Sequence, residues 1–499
     1  MIAAKPTFMQ RSLTFIASHK FFMLILAFFL LQAAWIALTA KFPLLFDERY
    51  HIGLIDLYSH QWSPLITGQG PETAVLGDTT RYGSYLYHYL MSFPYRIVQS
   101  LSGDSVLALI IVRLFSVGFV VASLVYFRRT LLLLGIGRAV TNSTILLFTL
   151  VPLVSFIAAH VSYDTLQLLG SAIFMYYLVR FIKHSGNTFV DASLLLSAGL
   201  LTSLVKFSFL PIFLIGVFGA FVWVLYKRKQ VVPAWRQGFV SLATPARVGI
   251  ILLLVVGGGL FIERFGGNAL QYHSFEAPCE KVRSLEQCMR YAPWHRNYEL
   301  EKQQDEHPVP LKNRLAYTKD FWLPGMVNHW LVAGRVYDEQ TGESSVSQGM
   351  PVLRIAVWVF LVFGLGALLL VGWRLFNNPA SLLLLAITLG YFGILWIRNY
   401  GEYVEFASPV AVQARYGLPL VVFFMAFSLQ ALSIVLRSQR LKLGVLIVSL
   451  LVSSQGGGIV SYLILQRPEA HLPASPLIQI DTKIRSVLKK VVKEKLFRL

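Results

Sequence analysis

The chain has 499 residues, of which 56% are hydrophobic and only 14% charged, and its mean hydropathy is +0.60. That much apolar surface exceeds what one soluble core of this size can bury, which excludes an ordinary soluble protein and leaves a membrane as the solvent. A net charge of +19 would suit a nucleic acid. But the cations fall between apolar spans and no basic stripe carries interleaved aromatics, so nucleic acid is excluded as a partner and the charge reads as a signal of membrane orientation.

Nearly uncharged runs predict about eleven membrane helices in chain order, near 20–40, 105–127, 142–160, 164–182, 190–205, 209–226, 248–263, 351–373, 380–397, 409–436 and 443–465. The stretch from Asp191 to Tyr226 also fits one helix with a re-entrant piece. The first run is too long for a cleavable leader and lacks a small-residue cleavage site. The expected fold is an all-α polytopic membrane protein in four parts. These are an N-terminal module at 1–263 with a first loop at 41–104, a second large loop at 264–350, C-terminal helices at 351–465, and a basic amphipathic tail at 466–499.

Orientation follows from the short loops. Arg128, Arg129 and Arg138 share one, Arg180 and Lys183 another, Lys227 to Lys229 with Arg236 and Arg247 a third, and Arg437, Arg440 and Lys442 a fourth. All lie on one side if the N-terminus, with Lys5, Arg11 and Lys20, is cytoplasmic. The two large loops are then extracytoplasmic. The tail strains this scheme, since eleven spans put it outside although it carries Lys483, Arg485, Lys489, Lys490, Lys493, Lys495 and Arg498. Either one span is miscounted or the tail is an amphipathic helix lying on the outer surface. Cys279 and Cys288, the only cysteines, share the second loop, where an oxidising compartment favours a disulfide over two free thiols.

Chemistry concentrates just beyond the first span, where Asp47 and Glu48 stand side by side. Ile52, Ile55, Leu57 and Tyr58, then Leu86, Leu90, Phe93 and Ile97, predict two amphipathic helices lying in the interface and roofing a cavity with Asp47 at its floor. A partly desolvated carboxylate there suits a general base. The competing reading is a solvated acidic pair that ends a helix. Similarly, Asp164 is either an active-site acid or a helix cap helped by Ser162. Lys206 is either a phosphate-binding cation or a snorkelling lysine, and Arg415 either serves function or forms a structural pair with Glu402 or Glu405. No histidine pair has ligand spacing on one helix.

The run Phe46-Asp47-Glu48-x-x-His51-x-Gly53 resembles the first outer loop of the GT-C glycosyltransferases, in particular the Phe-Asp-Glu-x-His-Phe-Gly pattern of protein O-mannosyltransferases. Asp47-Glu48-Arg49-Tyr50 is also similar to the Asp-Glu-x-Arg-Tyr of the lipid A aminoarabinose transferase, one residue shorter here. His160 to Leu166 falls where these enzymes often place another acid. Leu204-Val205-Lys206-Phe207-Ser208 looks like their Thr-Lys-x-small stretch, and Gln413-Ala414-Arg415-Tyr416-Gly417-Leu418-Pro419 resembles a Gln-x-Arg-Tyr-x-x-Pro helix start in bacterial relatives. The resemblance covers the first seven helices well and the remainder loosely.

It implies a glycosyltransferase of the bacterial inner membrane that moves a sugar from a polyprenyl-phosphate donor to a glycan, lipid or protein hydroxyl, with inversion. Asp47 would be the base, Glu48 would orient the acceptor or support Asp47, and Asp164 would position the acceptor or, in relatives that use one, bind a divalent metal. Arg49, Lys206 and Arg415 would hold the donor phosphate. Tyr50, His51 and Tyr163 would line the acceptor site, with further aromatic faces from the second loop. A transporter or flippase of lipid-linked precursors is the alternative class, for which Arg113 inside the second span and Glu263 at the end of the seventh speak, and the lack of an internal repeat speaks against. A non-catalytic assembly subunit would keep the fold without the acids.

Overall fold

The computed structural model describes residues 8–44, 47–337, 344–348, 351–456, 458–465 and 476–496. Phe46 of the loop motif and Arg498 of the tail lie outside them. Among the described residues, ten helices are long and apolar enough to cross a membrane, or eleven if one bent pair counts as a single span. The chain is therefore an all-helical, multi-pass integral membrane protein. Its only strands among the described residues are an antiparallel pair in the second loop, Val332–Tyr337 with Ser344–Gln348.

A short amphipathic α1 (Phe8–Ile16) precedes the first span, α2 (His19–Thr39), which is capped by the Ser18 hydroxyl accepting from the Phe21 N–H. The first loop contributes α3 (Glu48–Ser59) and α4 (Leu86–Ser102). The second span, α5 (Ser105–Leu133), begins at Asp104, whose carboxylate accepts from the N–H groups of Val106 and Leu107. Next come α6 (Arg138–Thr149), α7 (Pro152–Ala159), α8 (Tyr163–Lys183), α9 (Thr188–Val205), α10 (Leu210–Tyr226), the basic α11 (Arg228–Ser241) and α12 (Thr244–Phe261), which runs on to Tyr272. Two full helices thus occupy 188–226, without a re-entrant piece. Spanning helices also cover 353–375, Pro379–Phe406, 414–435 and 439–460.

The expected single span at 142–160 is instead bent by 67° between α6 and α7. Pro152 lacks an N–H and forces the extended backbone seen at Val151, so the ladder breaks there. The break exposes the Thr149 carbonyl, which lipid cannot hydrate. Gln32 of α2 donates to it at 3.1 Å and the Ser155 hydroxyl at 3.3 Å. At Gly170, a β-carbon would fall 2.1 Å from the Thr202 hydroxyl oxygen, so glycine lets α8 and α9 approach closely. By contrast α12 leaves Val248, Leu252 and Val255 exposed, as a lipid-facing helix does.

The interfacial pair also differs in detail from the expectation. The buried face of α3 is Glu48, His51, Leu54, Ile55 and Tyr58, so it covers a polar site rather than lipid, and Ile52 and Leu57 are only half-buried. In α4, Leu90, Ile97 and Leu101 form an exposed apolar stripe while Tyr87, His88, Met91 and Tyr95 face inward.

Alternation of the spans gathers the connections at 40–44, 160–162, 206 and 407–413 at one end of the bundle and the basic connections at the other. The tail helix, Pro476–Leu496, packs on α2 and on Gly458–Leu465. Trp35, one turn before the end of α2, donates to Asp481 at 2.7 Å, and Arg485 donates to the Tyr462 carbonyl at 3.0 Å. The tail is thus a helix at the same end as Asp47, and no span need be subtracted. Single cysteines at Ser59 and Lys490, in a background lacking Cys279 and Cys288, should both react with an impermeant thiol reagent in intact cells, whereas one at Ser241 should not. Labelling of the first two on opposite faces would break the common-side placement.

Candidate functional site

Two consecutive acids take opposite environments. Glu48, the first residue of α3, is fully buried and forms a two-pronged ion pair with Arg113 of α5, at 2.8 Å for each N–H. Its oxygens also accept from the N–H of Leu44 at 2.6 Å and of Val161 at 3.0 Å. Arg113 in turn donates to the carbonyls of Ala37, Ala40 and Lys41, at the α2 terminus where helical partners run out. Burial alone would raise the Glu48 pKa. The adjacent guanidinium and the donated hydrogen bonds outweigh that and hold it below the usual carboxylate range. Glu48 therefore fixes where Asp47 stands. Arg113 is engaged in that task, and Glu263 pairs with Arg81 and Arg264.

Asp47 keeps 48% of its side chain exposed. Arg415 donates to it at 2.9 Å and also bonds the Gln413 amide oxygen at 2.6 Å. The same guanidinium lies 3.7 Å from Asp164, which is in direct contact with the Lys206 ammonium. The Ser162 hydroxyl donates to Asp164 at 3.0 Å and accepts from the Asp164 N–H, so the cap of α8 is Ser162. Lys206 lies 4.6 Å over the Tyr163 ring and 4.4 Å over the Tyr416 ring. Asp164, Lys206 and Arg415 are nearly inaccessible, so Asp47 is the open carboxylate of a cluster with two acids and two cations. Arg415 does not take Glu402, which pairs with Arg398. Arg49 is exposed and joins no ion pair among the described residues, because the turn of α3 directs it away from Glu48.

Proline explains how both cations are presented. Pro211 and Pro419 each open a helix, and a 3-10 turn precedes each: Phe207–Phe209 after Lys206, and Ala414–Gly417 around Arg415. Two helix N-termini thus open close to the cluster, with their positive dipole ends toward it.

Beside the cluster, Tyr163 contacts the His51 ring at 4.5 Å, and His51 Nδ1 shares a 2.9 Å hydrogen bond with His88 Nε2. Both imidazoles are buried, and desolvation pulls their pKa values well below 6.5. Tyr50 is half-buried, with its ring 5.9 Å from that of Tyr291 in the second loop. That loop is fastened over the first by Arg283, which donates to Asp78 at 3.2 Å and to the Gln69 amide oxygen at 2.7 Å, next to the Cys279–Cys288 disulfide. Tyr291 packs on Gly77, where the backbone is left-handed (φ 73°) and a β-carbon would fall 3.2 Å from the ring. Sequence reasoning missed His88 as a site residue; its only signal was a polar side chain on the inward face of an interfacial helix.

An apolar groove with a cavity volume of about 130 Å³ lies in the spanning region between Phe148, Trp330, Val357, Phe360, Leu418 and Met425. It excludes Asp47 itself, but Leu418 at its wall follows the turn that carries Arg415. Among the described residues, no group of three His, Cys, Asp or Glu side chains could hold a metal ion. No protein-family model matches the chain, and no curated protein matches it. Its class rests on its architecture, that of a multi-pass helical membrane protein with a charged site at one end of the bundle.

Removing the Glu48 charge leaves Arg113 buried and uncompensated. Glu48→Gln should therefore destabilise the protein by about 3–5 kcal/mol, read by thermal unfolding in detergent, and Arg113→Met should restore part of the loss when combined with it. A pH effect should accompany this. His51 and His88 stay neutral when folded, whereas the unfolded chain gains those protons below about 6.5. The unfolded state then binds more protons, so stability should fall as the pH drops below that value, and His51→Gln should flatten the slope.

Proposed function

We propose that this chain is a GT-C type glycosyltransferase that transfers a sugar from a polyprenyl-phosphate donor to a hydroxyl acceptor at the extracytoplasmic face of a bacterial inner membrane. The observation that carries the reading is Asp47: a half-exposed carboxylate held beside two buried cations, with an apolar groove starting one turn away. The groove suits an isoprenoid tail lying in the hydrocarbon, and the cations suit the phosphate at its end.

In this reading an acceptor hydroxyl approaches Asp47 past Tyr50 and Tyr291. As the hydroxyl oxygen bonds the anomeric carbon, its proton passes to Asp47, and the carbon–oxygen bond to phosphate breaks on the opposite face, leaving the electron pair on the polyprenyl phosphate. Lys206 and Arg415 stabilise the charge that grows there, and Asp164 holds both cations in place. Arg415 also gates the base. A donor phosphate competes for the guanidinium now on Asp47, which leaves Asp47 the stronger base once donor is bound. Arg49, exposed and apart, has no part in phosphate binding.

Asp47→Asn preserves shape but accepts no proton. With a synthetic polyprenyl-phosphate sugar it should bind donor yet lose about 10²–10⁴ in transfer rate. Lys206→Ala and Arg415→Ala, compared at matched stability, should instead weaken donor binding, and Arg49→Ala should change neither. Normal turnover by Asp47→Asn would reject the enzyme reading and favour a flippase, for which the groove and its cations would serve equally.

A further inference from the structure

The tail helix presents three faces. Asp481 and Arg485 point inward and are buried, their ion pair locked by Trp35 of α2 and by the Tyr462 carbonyl, while the Tyr462 hydroxyl reaches Thr39 at 2.8 Å. Ile480, Ile484 and Val487, spaced i, i+4 and i+7, form an apolar stripe pointing away from the protein, at 48%, 39% and 61% exposure. Lys483 and Lys490, one heptad apart and both exposed, flank that stripe on the side away from the protein. Six cations stand against two acids along the helix.

This pattern differs from that of a packed helix and from that of a water-exposed one. A helix docked only for stability has no use for a second apolar face, and one in water would not keep it. A helix lying in the bilayer interface needs both: apolar side chains that enter the acyl boundary and lysines at headgroup level. Its docking fixes the depth, because Trp35 lies one turn from the end of α2 and Tyr462 belongs to the last apolar helix. On the same end of the bundle, Leu90, Ile97 and Leu101 of α4 also face outward as an apolar stripe, which marks where the interface runs.

From this geometry and charge we infer that the tail helix is a binding element for anionic phospholipid in the leaflet on the Asp47 side. Its lysines recognise the headgroup charge, and Ile480, Ile484 and Val487 seat it in the acyl boundary. The inference is independent of the transferase reading. Its test uses the full-length protein, one copy per lipid nanodisc, with either zwitterionic phospholipid alone or roughly one third anionic phospholipid, and follows amide hydrogen exchange across 476–496. Exchange should be roughly tenfold slower in the anionic discs. The double substitution Lys483→Glu and Lys490→Glu should remove that difference while leaving exchange in zwitterionic discs unchanged, since the Asp481–Arg485 anchor is untouched. Equal exchange in the two lipids overturns the inference, as does a charge-reversed variant that keeps the difference. Protection that is the same in both lipids and appears only with two copies per disc also overturns it, assigning the stripe to a second copy.

Discussion

The ion pair between Glu48 and Arg113 is the constraint on which the site depends. Two charges removed from water cost several kcal/mol each, and such a pair persists only when their remaining hydrogen-bonding capacity is also met. Here it is met by backbone. Arg113 takes three carbonyls at the end of α2, and Glu48 takes the N–H groups of Leu44 and Val161. Those partners would otherwise be unsatisfied where a span ends against protein rather than water. The pair thus solves a problem of helix termination, and in doing so it fixes α2, α3, α5 and the α7–α8 connection relative to one another.

Adjacent acids can do such different work because a helix turns by about 100° per residue. At the start of α3 that rotation sends Glu48 inward to Arg113 and leaves Asp47 at the opening, reached by Arg415. Arg49, one step further on, turns to solvent. The same rotation brings His51 back over Tyr163, one turn after Asp47. An Asp-Glu dipeptide at this position therefore supplies one anchor and one exposed carboxylate, and exchanging the two residues would misplace both.

What the sequence made legible were the features set by local composition. Long uncharged runs marked the spans, basic connections marked one face, and the Asp47 neighbourhood stood out by its place after the first span. What it could not show depends on partners far along the chain. Glu48 and Arg113 are 65 residues apart, Arg415 and Asp47 are 368 apart, and nothing local in either segment names the other. The bend at Pro152 is readable as a break, but its tolerance inside a membrane depends on Gln32 in another helix. The tail was ambiguous for the same reason: its charge pattern fitted two topologies until Trp35 and Asp481 were brought together.

The charge balance of the cluster bears on the proposed reaction. Asp47 and Asp164 offset Lys206 and Arg415, so the cluster is neutral, with only Asp47 open to water. A sugar linked through a phosphodiester brings one negative charge. When the acceptor proton moves to Asp47, that carboxylate becomes neutral and the cluster gains one positive charge, while the departing phosphate becomes a monoester and gains one negative charge. The total does not change; negative charge moves from Asp47 to the phosphate, with Arg415 in contact with the first and available to the second. A cation that starts on the base and ends on the leaving group stabilises the later part of the reaction more than its beginning, which is the condition for lowering a barrier rather than only tightening binding. Lys206, held by Asp164 throughout, supplies the constant part of that field. By this argument both cations act on donor affinity, and Arg415, which also holds the base, acts on the rate as well.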